Sequence, residues 1–402
     1  MTNSDSTTNT NYPRLLSFTL DGWDVLGGRV TVSLQDGVAV LVGRNGAGKS
    51  AILEGFEIIS SWAIGRRSQI LQTNTPKTFE IEISTPTARR LRYKYELLIL
   101  PSSTEAFDSD IPISYNLESW NDCCQYMDHQ QEILWSTENG ETILKDSNDS
   151  TTTILGINNS FSRINHLNKS RLKLPIEFNW THDVLKGICM SDKNPFDSKL
   201  GRSPSMLVVS PEGIKRHAGS EGQTFILAQK IYRYYTKNHN LDELENICQR
   251  IGIANKIKID EYDPKLGNLS EEKFVFVIVD DVNIGLLSEG TLRVMSILIE
   301  ILSLSTSSTI IIEEPETQIH PAMLSRLLNE IEAYTYGENL ILSTHSPQVV
   351  SWTDPEKIHL VHRNDGQTFV RKLIGDEIHR VIEYLSEEGT LGEWIYSGAL
   401  NE

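Results

Sequence analysis

The chain has 402 residues, of which 54 are acidic and 37 basic, for a formal net charge of -17. That balance excludes a polycation that coats nucleic acid and leaves room only for a local basic patch. Hydrophobic residues at 39% and charged residues at 23% describe a globular protein with chain enough for two or three structural units, and no apolar run reaches the roughly 20 residues of a membrane span. Residues 1–11, rich in Ser, Thr and Asn and without a basic start or apolar stretch, are read as a disordered tail and not a signal peptide. The expected location is cytoplasmic. Cys123, Cys124, Cys189 and Cys248 have neither C-x-x-C nor regular spacing, so reduced thiols are expected, not a disulfide framework or zinc site.

Residues 14–34 alternate apolar and polar positions in runs broken by Gly22 and Gly27-Gly28, which predicts antiparallel strands joined by turns. The Asp36-Gly37 turn launches 38–42, an unbroken apolar run of the kind found in strands buried on both faces. Ile52, Phe56 and Ile59 then keep helical spacing from Lys49 until Gly65. Alternation at 78–84 and 91–100 predicts two more strands of an antiparallel layer. Between 101 and 204, polar tracts such as 146–153 mix with apolar islands such as 133–135, and an irregular insertion is expected.

Helices are predicted over 223–235 and 241–251, and a strand over 274–279. A helix opening at Ser288 and running to about 304, a strand over 309–312, a helix over 321–334 and a strand over 340–342 complete the series. Apolar strands alternating with helices predict a parallel sheet. The fold class is therefore α/β with an antiparallel β side layer and an inserted, partly helical subdomain. The expected division is a tail 1–11, an N-terminal lobe 12–100, an insertion 101–270 and a C-terminal lobe 271–402.

Gly43-Arg44-Asn45-Gly46-Ala47-Gly48-Lys49-Ser50 fits G-x-x-x-x-G-K-[S/T] between a predicted strand and a predicted helix. Glycines let backbone amides wrap a phosphate, Lys49 reaches the outer phosphates, and the Ser50 hydroxyl can ligate Mg2+. Glu313 and Glu314 place two carboxylates at a strand end, one to hold Mg2+ and one to polarise an attacking water; an isolated pair of this kind is also how a solvated acidic turn reads. His345 follows the next strand, where an imidazole can bond a terminal phosphate or simply face solvent. Ser288-Glu289-Gly290-Thr291 is a helix N-cap and, if exposed, an anion site. Arg90, Arg92 and Lys94 share one face of a strand, with Leu91, Tyr93 and Tyr95 opposite, as a nucleic-acid-tracking face or an ordinary solvated one would. Arg66-Arg67 and the Lys169, Arg171, Lys173 row allow the same two readings.

In this order the elements resemble the ABC-type P-loop ATPases, and more narrowly the SMC-like and OLD-like branch found in DNA repair and bacterial anti-phage systems. Gly43 to Ser50 looks like Walker A, Ser288 to Thr291 like a short signature motif, 310–314 like Walker B and His345 like the switch histidine. Glu313-Glu314-Pro315-Glu316 followed by Ile319-His320-Pro321 is similar to the D-E-P-E-x-x-L-H-P stretch of the OLD-like group, the most specific feature. Leu391-Gly392-Glu393-Trp394 and Ser397-Gly398-Ala399-Leu400 resemble the endings of stand-alone ATPases such as those of Septu, PARIS or abortive-infection systems.

The resemblance implies ATP and Mg2+ as ligands, ATP hydrolysis with Glu314 and His345 catalytic, and a metal held by Ser50 and Glu313. It further implies a homodimer or higher homo-oligomer in which Ser288, Glu289 and Gly290 complete the partner's site. A separate effector nuclease or toxin, and a phage protein or DNA as trigger, follow from the same likeness, while no membrane partner is expected from the lack of a long apolar run. Glu313 stands where the family has Asp, and Gln223 and Gln229 are the candidates for a Q-loop glutamine. Too few residues follow His345 for the TOPRIM nuclease domain of OLD-like proteins, and long coiled-coil arms and a cysteine zinc hook are missing. A RecF-like repair ATPase, a transporter's nucleotide-binding subunit and a nucleotide-locked scaffold are the rival readings.

Overall fold

The computed structural model describes residues 12–63, 76–101, 115–128, 132–138, 141–145, 151–154, 174–191, 204–215, 222–263, 272–304, 308–335, 338–373 and 377. From the N-terminus, β1 (Arg14–Asp21), β2 (Val30–Ser33) and β3 (Val38–Val42) precede α1 (Lys49–Ala63). Then come β4 (Lys77–Ser84), β5 (Arg90–Pro101), β6 (Tyr115–Tyr126), β7 (Ile133–Glu138), β8 (Glu141–Lys145) and β9 (Thr151–Ile154). They are followed by α2 (Ile176–Lys186), β10 (Ile188–Met190), β11 (Leu207–Ser210), β12 (Gly213–Lys215), α3 (Gln223–Asn238) and α4 (Asp242–Ile251). Next are β13 (Ile257–Tyr262), β14 (Lys273–Val279), β15 (Val282–Asn283), α5 (Glu289–Leu302) and β16 (Thr309–Glu313). The last described elements are α6 (Pro321–Tyr334), β17 (Asn339–Thr344), α7 (Pro347–Trp352), β18 (Ile358–Asn364) and β19 (Gln367–Lys372).

The three unbroken apolar runs lie side by side as β16, β17 and β3 in a sheet of order β10-β16-β17-β3-β18-β19, parallel except for the β18–β19 hairpin. Alternation along each strand sends side chains to two different cores, which is why no polar position interrupts them. Val40, Val42, Ile310, Ile312, Leu340 and Leu342 enter a core with α3 to α6. Ala39, Leu41, Ile311 and Ile341 enter a second core with α1 and the antiparallel sheet. There Phe56 of α1 stacks on Phe18 of β1 at 4.0 Å between ring centroids and lies 5.9 Å from Phe79 of β4. Truncating Phe56 would cost about 3–5 kcal/mol on that burial. Both cores draw on residues from all three expected segments, 12–100, 101–270 and 271–402.

The stretch 101–204 is more regular than its sequence suggests. β6, β7, β8 and β9 extend the antiparallel layer to eight strands in the order β2-β1-β4-β5-β6-β7-β8-β9. Among the described side chains of these strands, Cys124, Tyr126, Leu134, Trp135 and Leu144 are buried, and Thr137 and Thr142 are buried as a hydroxyl pair at 2.9 Å. Such polar but β-branched residues pair well in a sheet without giving an apolar period. A further five-stranded sheet, β12-β11-β14-β13 with β15 beside β14, also exceeds the single strand expected there. The helical part of the insertion is present as α2, α3 and α4.

The four cysteines are free thiols, with Cys124 and Cys248 buried. Among the described residues no helix is long and apolar enough to cross a membrane. The tail 1–11, Gly65, Arg66-Arg67, the Lys169 to Lys173 row and the 391–400 motifs lie outside the described residues.

Candidate active site

Parallel strands gather their carboxyl ends at one edge, and here three neighbours do so in register. Thr344 of β17 faces Val42 of β3, and Ser343 faces Glu313 of β16. The phosphate loop leaving β3, the carboxylates ending β16 and His345 leaving β17 are therefore brought to one edge, the place where open α/β sheets bind ligands. The sequence motifs converge because strand order β16-β17-β3 sets their loops side by side.

The loop runs from Gly43 into α1. Gly46 and Gly48 hold φ values of 81° and 108°, which side chains rarely adopt, and Gly43 has no room for a Cβ because the Val361 carbonyl oxygen would lie 2.2 Å away. Arg44, Asn45, Gly46 and Ser50 are exposed, while Ala47 and Lys49 are buried. The Lys49 ammonium donates to the carbonyl oxygens of Gly43 (2.7 Å) and Arg44 (3.2 Å). Burial pushes its pKa below the usual lysine value, and the charges of Glu314, Glu316 and Glu313 work in the opposite direction. From across the sheet, Thr368 of β19 donates its hydroxyl to the Ala47 carbonyl at 3.1 Å and packs where a Cβ on Gly48 would go. This brace was not visible in the sequence, since it joins residues 321 positions apart.

Past Glu313 the chain turns out of the sheet through Glu314 at φ 44°, a conformation that costs a non-glycine residue about 1–2 kcal/mol. The Glu314 amide donates to Ser343 O at 2.9 Å, and its carboxylate accepts from the Thr317 hydroxyl at 3.3 Å. Its Oε1 stands 3.4 Å from Nδ1 of His345. Glu313 is half-buried, and its carbonyl oxygen accepts from the buried Arg293 guanidinium of α5 at 2.7 Å. Glu316 accepts from the Thr344 hydroxyl (2.7 Å) and the His345 amide (3.1 Å).

Among the described residues no group of three or more His, Cys, Asp or Glu side chains could hold a metal by itself. Glu313, Glu314 and Glu316 all act electrostatically on the Lys49 ammonium, which shows that the carboxylate turn and the phosphate loop are neighbours.

Ser288, Glu289 and Gly290 make their contacts elsewhere. Ser288 caps α5, its hydroxyl accepting from the Thr291 amide at 3.2 Å. Glu289 accepts from the Gln318 side chain at 2.9 Å, and Gly290 lies so close that an added Cβ would sit 2.6 Å from Gln318 O. The N-terminus of α5 is thus keyed to the turn after Glu314, with none of these contacts made to the phosphate loop. Gln223 and Gln229 fall at the start and middle of α3. Arg92 is held by Glu80 (3.1 Å) and Glu82 (3.0 Å) and Lys94 by Glu96 (2.5 Å), so the basic strand face is a lattice of both signs, as a solvated face would be.

A family profile described as AAA domain matches residues 17–273, well over half of the chain. The chain belongs to the AAA-domain family. A second AAA-domain profile, described by reference to the AbiEii toxin of Type IV TA systems, matches residues 224–351, which include Ser288, Glu314 and His345. No curated protein matches the chain. Among solved structures, the SMC head domain from Thermotoga maritima is 12% identical with a TM-score of 0.41, covering 90% of this chain and 100% of its own. An SMC head bound to the C-terminal winged-helix domain of ScpA is 12% identical at 0.45, covering 91% of this chain and 99% of that one. An SMC head with extended coiled coil bound to the C-terminal domain of ScpA derived from Pyrococcus furiosus is also 12% identical at 0.45, covering 94% and 100%. This AAA-domain protein has a P-loop ATPase fold, mixed α/β with antiparallel sheets.

Proposed function

We propose that the chain hydrolyses ATP as a switch, with Gly43 to Ser50 cradling the phosphates and Glu314 orienting and polarising the attacking water. The observation that carries this reading is the shared edge. Glu314 is turned out of its strand at a strained backbone angle and stands within 3.4 Å of His345, on strand ends next to the phosphate loop. Lys49 holds loop carbonyls that phosphate oxygens would replace. Ser50 and Glu313 are the residues proposed to hold Mg2+, which when bound supplies charge neutralisation at the outer phosphates. His345 bonds the terminal phosphate and Glu314 keeps its ring in place.

Ser288, Glu289 and Gly290 are proposed to complete the site of a second copy in a homodimer or larger homo-oligomer, since their contacts lead away from their own phosphate loop. The lobes 12–100 and 271–402 are proposed to form the ATPase unit together with β10, α3 and α4 of the stretch 101–270, which join the same sheet and core. The switch is proposed to govern a separate nuclease or toxin in a cytoplasmic anti-phage defence complex, a role supported by the AbiEii reference in one matching profile. The charge-matched face of β5 disfavours the RecF-like alternative, in which DNA would be clamped directly.

The reading is tested by phage challenge of cells carrying the gene with its neighbours. The parent should protect and Lys49→Ala should not, because the cation facing the phosphates is gone. Protection by Lys49→Ala would exclude an ATP-driven switch, and a parent that never protects would remove the defence role while leaving the ATPase.

A further inference from the structure

We propose that Glu316 is a positioning residue for hydrolysis, holding residues 344–346 so that the His345 ring meets Glu314. The inference rests on the reading of Glu314 and His345 given above. Glu316 lies on the same turn as Glu314 but has the opposite environment, 11% exposed at the side chain against 35%. Its Oε1 accepts from the Thr344 hydroxyl at 2.7 Å and from the His345 amide at 3.1 Å, while Oε2 is buried and, among the described residues, makes no hydrogen bond.

The Thr344 hydroxyl donates to Glu316 Oε1, so its proton points at that carboxylate. The hydroxyl lone pair is then left for the Ser346 amide, which donates to it at 2.9 Å. Three consecutive residues are fixed through one carboxylate. The ring they carry has Nδ1 at 3.4 Å from Glu314 and 3.6 Å from Glu316. This half-buried carboxylate ties the end of β16 to the end of β17, the two elements whose spacing sets the Glu314–His345 contact.

Steady-state ATP hydrolysis and ATP binding by the full chain test this. Glu316→Ala and Thr344→Val should each lower kcat about tenfold or more with KM within about threefold, the signature of lost orientation and not lost binding. Glu316→Gln keeps the accepting oxygen and Thr344→Ser keeps the hydroxyl, so both should recover most of kcat. The double variant Glu316→Ala/Thr344→Val should be no slower than the slower single one, because both remove the same link.

Parental kcat in either disruptive variant, a rise in KM alone, or Glu316→Gln as slow as Glu316→Ala would overturn the proposal. If Glu316→Ala does not fold, the near-isosteric Thr344→Val carries the test. Glu314→Gln run alongside separates the two levels. Full activity there sinks the reading of the site, whereas its loss together with full activity in Thr344→Val sinks only the role of Glu316.

Discussion

His359 shows how a single residue of the sheet beside the phosphate loop ties stability to pH. It is 2% exposed on β18 opposite Leu41 of β3, with Nδ1 3.2 Å from Lys357 O and, among the described residues, no hydrogen-bond partner for Nε2. Burial pushes its pKa down to about 4; the nearby Lys372 adds to the fall, and the Lys357 and Ser33 backbone contacts and the Asp36 charge oppose it. Between the unfolded value near 6.5 and the folded value the unfolded chain binds the extra proton, so stability must fall as pH drops through that window. The loss should reach roughly 3 kcal/mol by about pH 4. Urea unfolding at pH 7 and pH 5 should show a drop in the parent that is smaller in His359→Gln; equal drops in both would mean that the imidazole is not held neutral.

Elements were legible where one periodicity dominated and illegible where two environments mixed. The runs at 38–42, 309–312 and 340–342 could be read because both faces of their sheet are covered. β6 could not, because the polar Asp122 is buried there along with Cys124 and Tyr126, so no apolar period marks the packed side chains. The placement of Gly43 to Ser50, Glu314 and His345 just past strand ends was readable because each motif directly follows its own apolar run. The contacts of Glu316 with Thr344, of Arg293 with Glu313 and of Thr368 with Ala47 were not, because only the strand order brings each pair together.

The same element-level packing makes Gly290 a test of the α5 contact. Alanine is intrinsically better in a helix by about 1 kcal/mol. Its Cβ would nonetheless sit 2.6 Å from the backbone oxygen of Gln318, itself at φ 64°, in the turn that follows Glu314. Gly290→Ala should therefore destabilise by about 1–3 kcal/mol in denaturant unfolding and slow hydrolysis. A stabilised variant would show that α5 does not press on that turn.

For the whole molecule, the proposed role of Ser288, Glu289 and Gly290 in a second copy's site makes the active site one assembled from two chains. Lys49→Ala and Ser288→Arg should each be inactive alone. Mixed, they should regain part of the parental rate, because one site of each heterodimer then contains neither substitution while the other contains both. A fully active Ser288→Arg monomer would place the whole site within one chain. The central claim is that this edge hydrolyses ATP through Glu314, and the direct test is phosphate release by the purified parent and Glu314→Gln at matched ATP occupancy. The account predicts equal ATP binding with phosphate release slowed at least about a hundredfold in the variant; equal rates would contradict it.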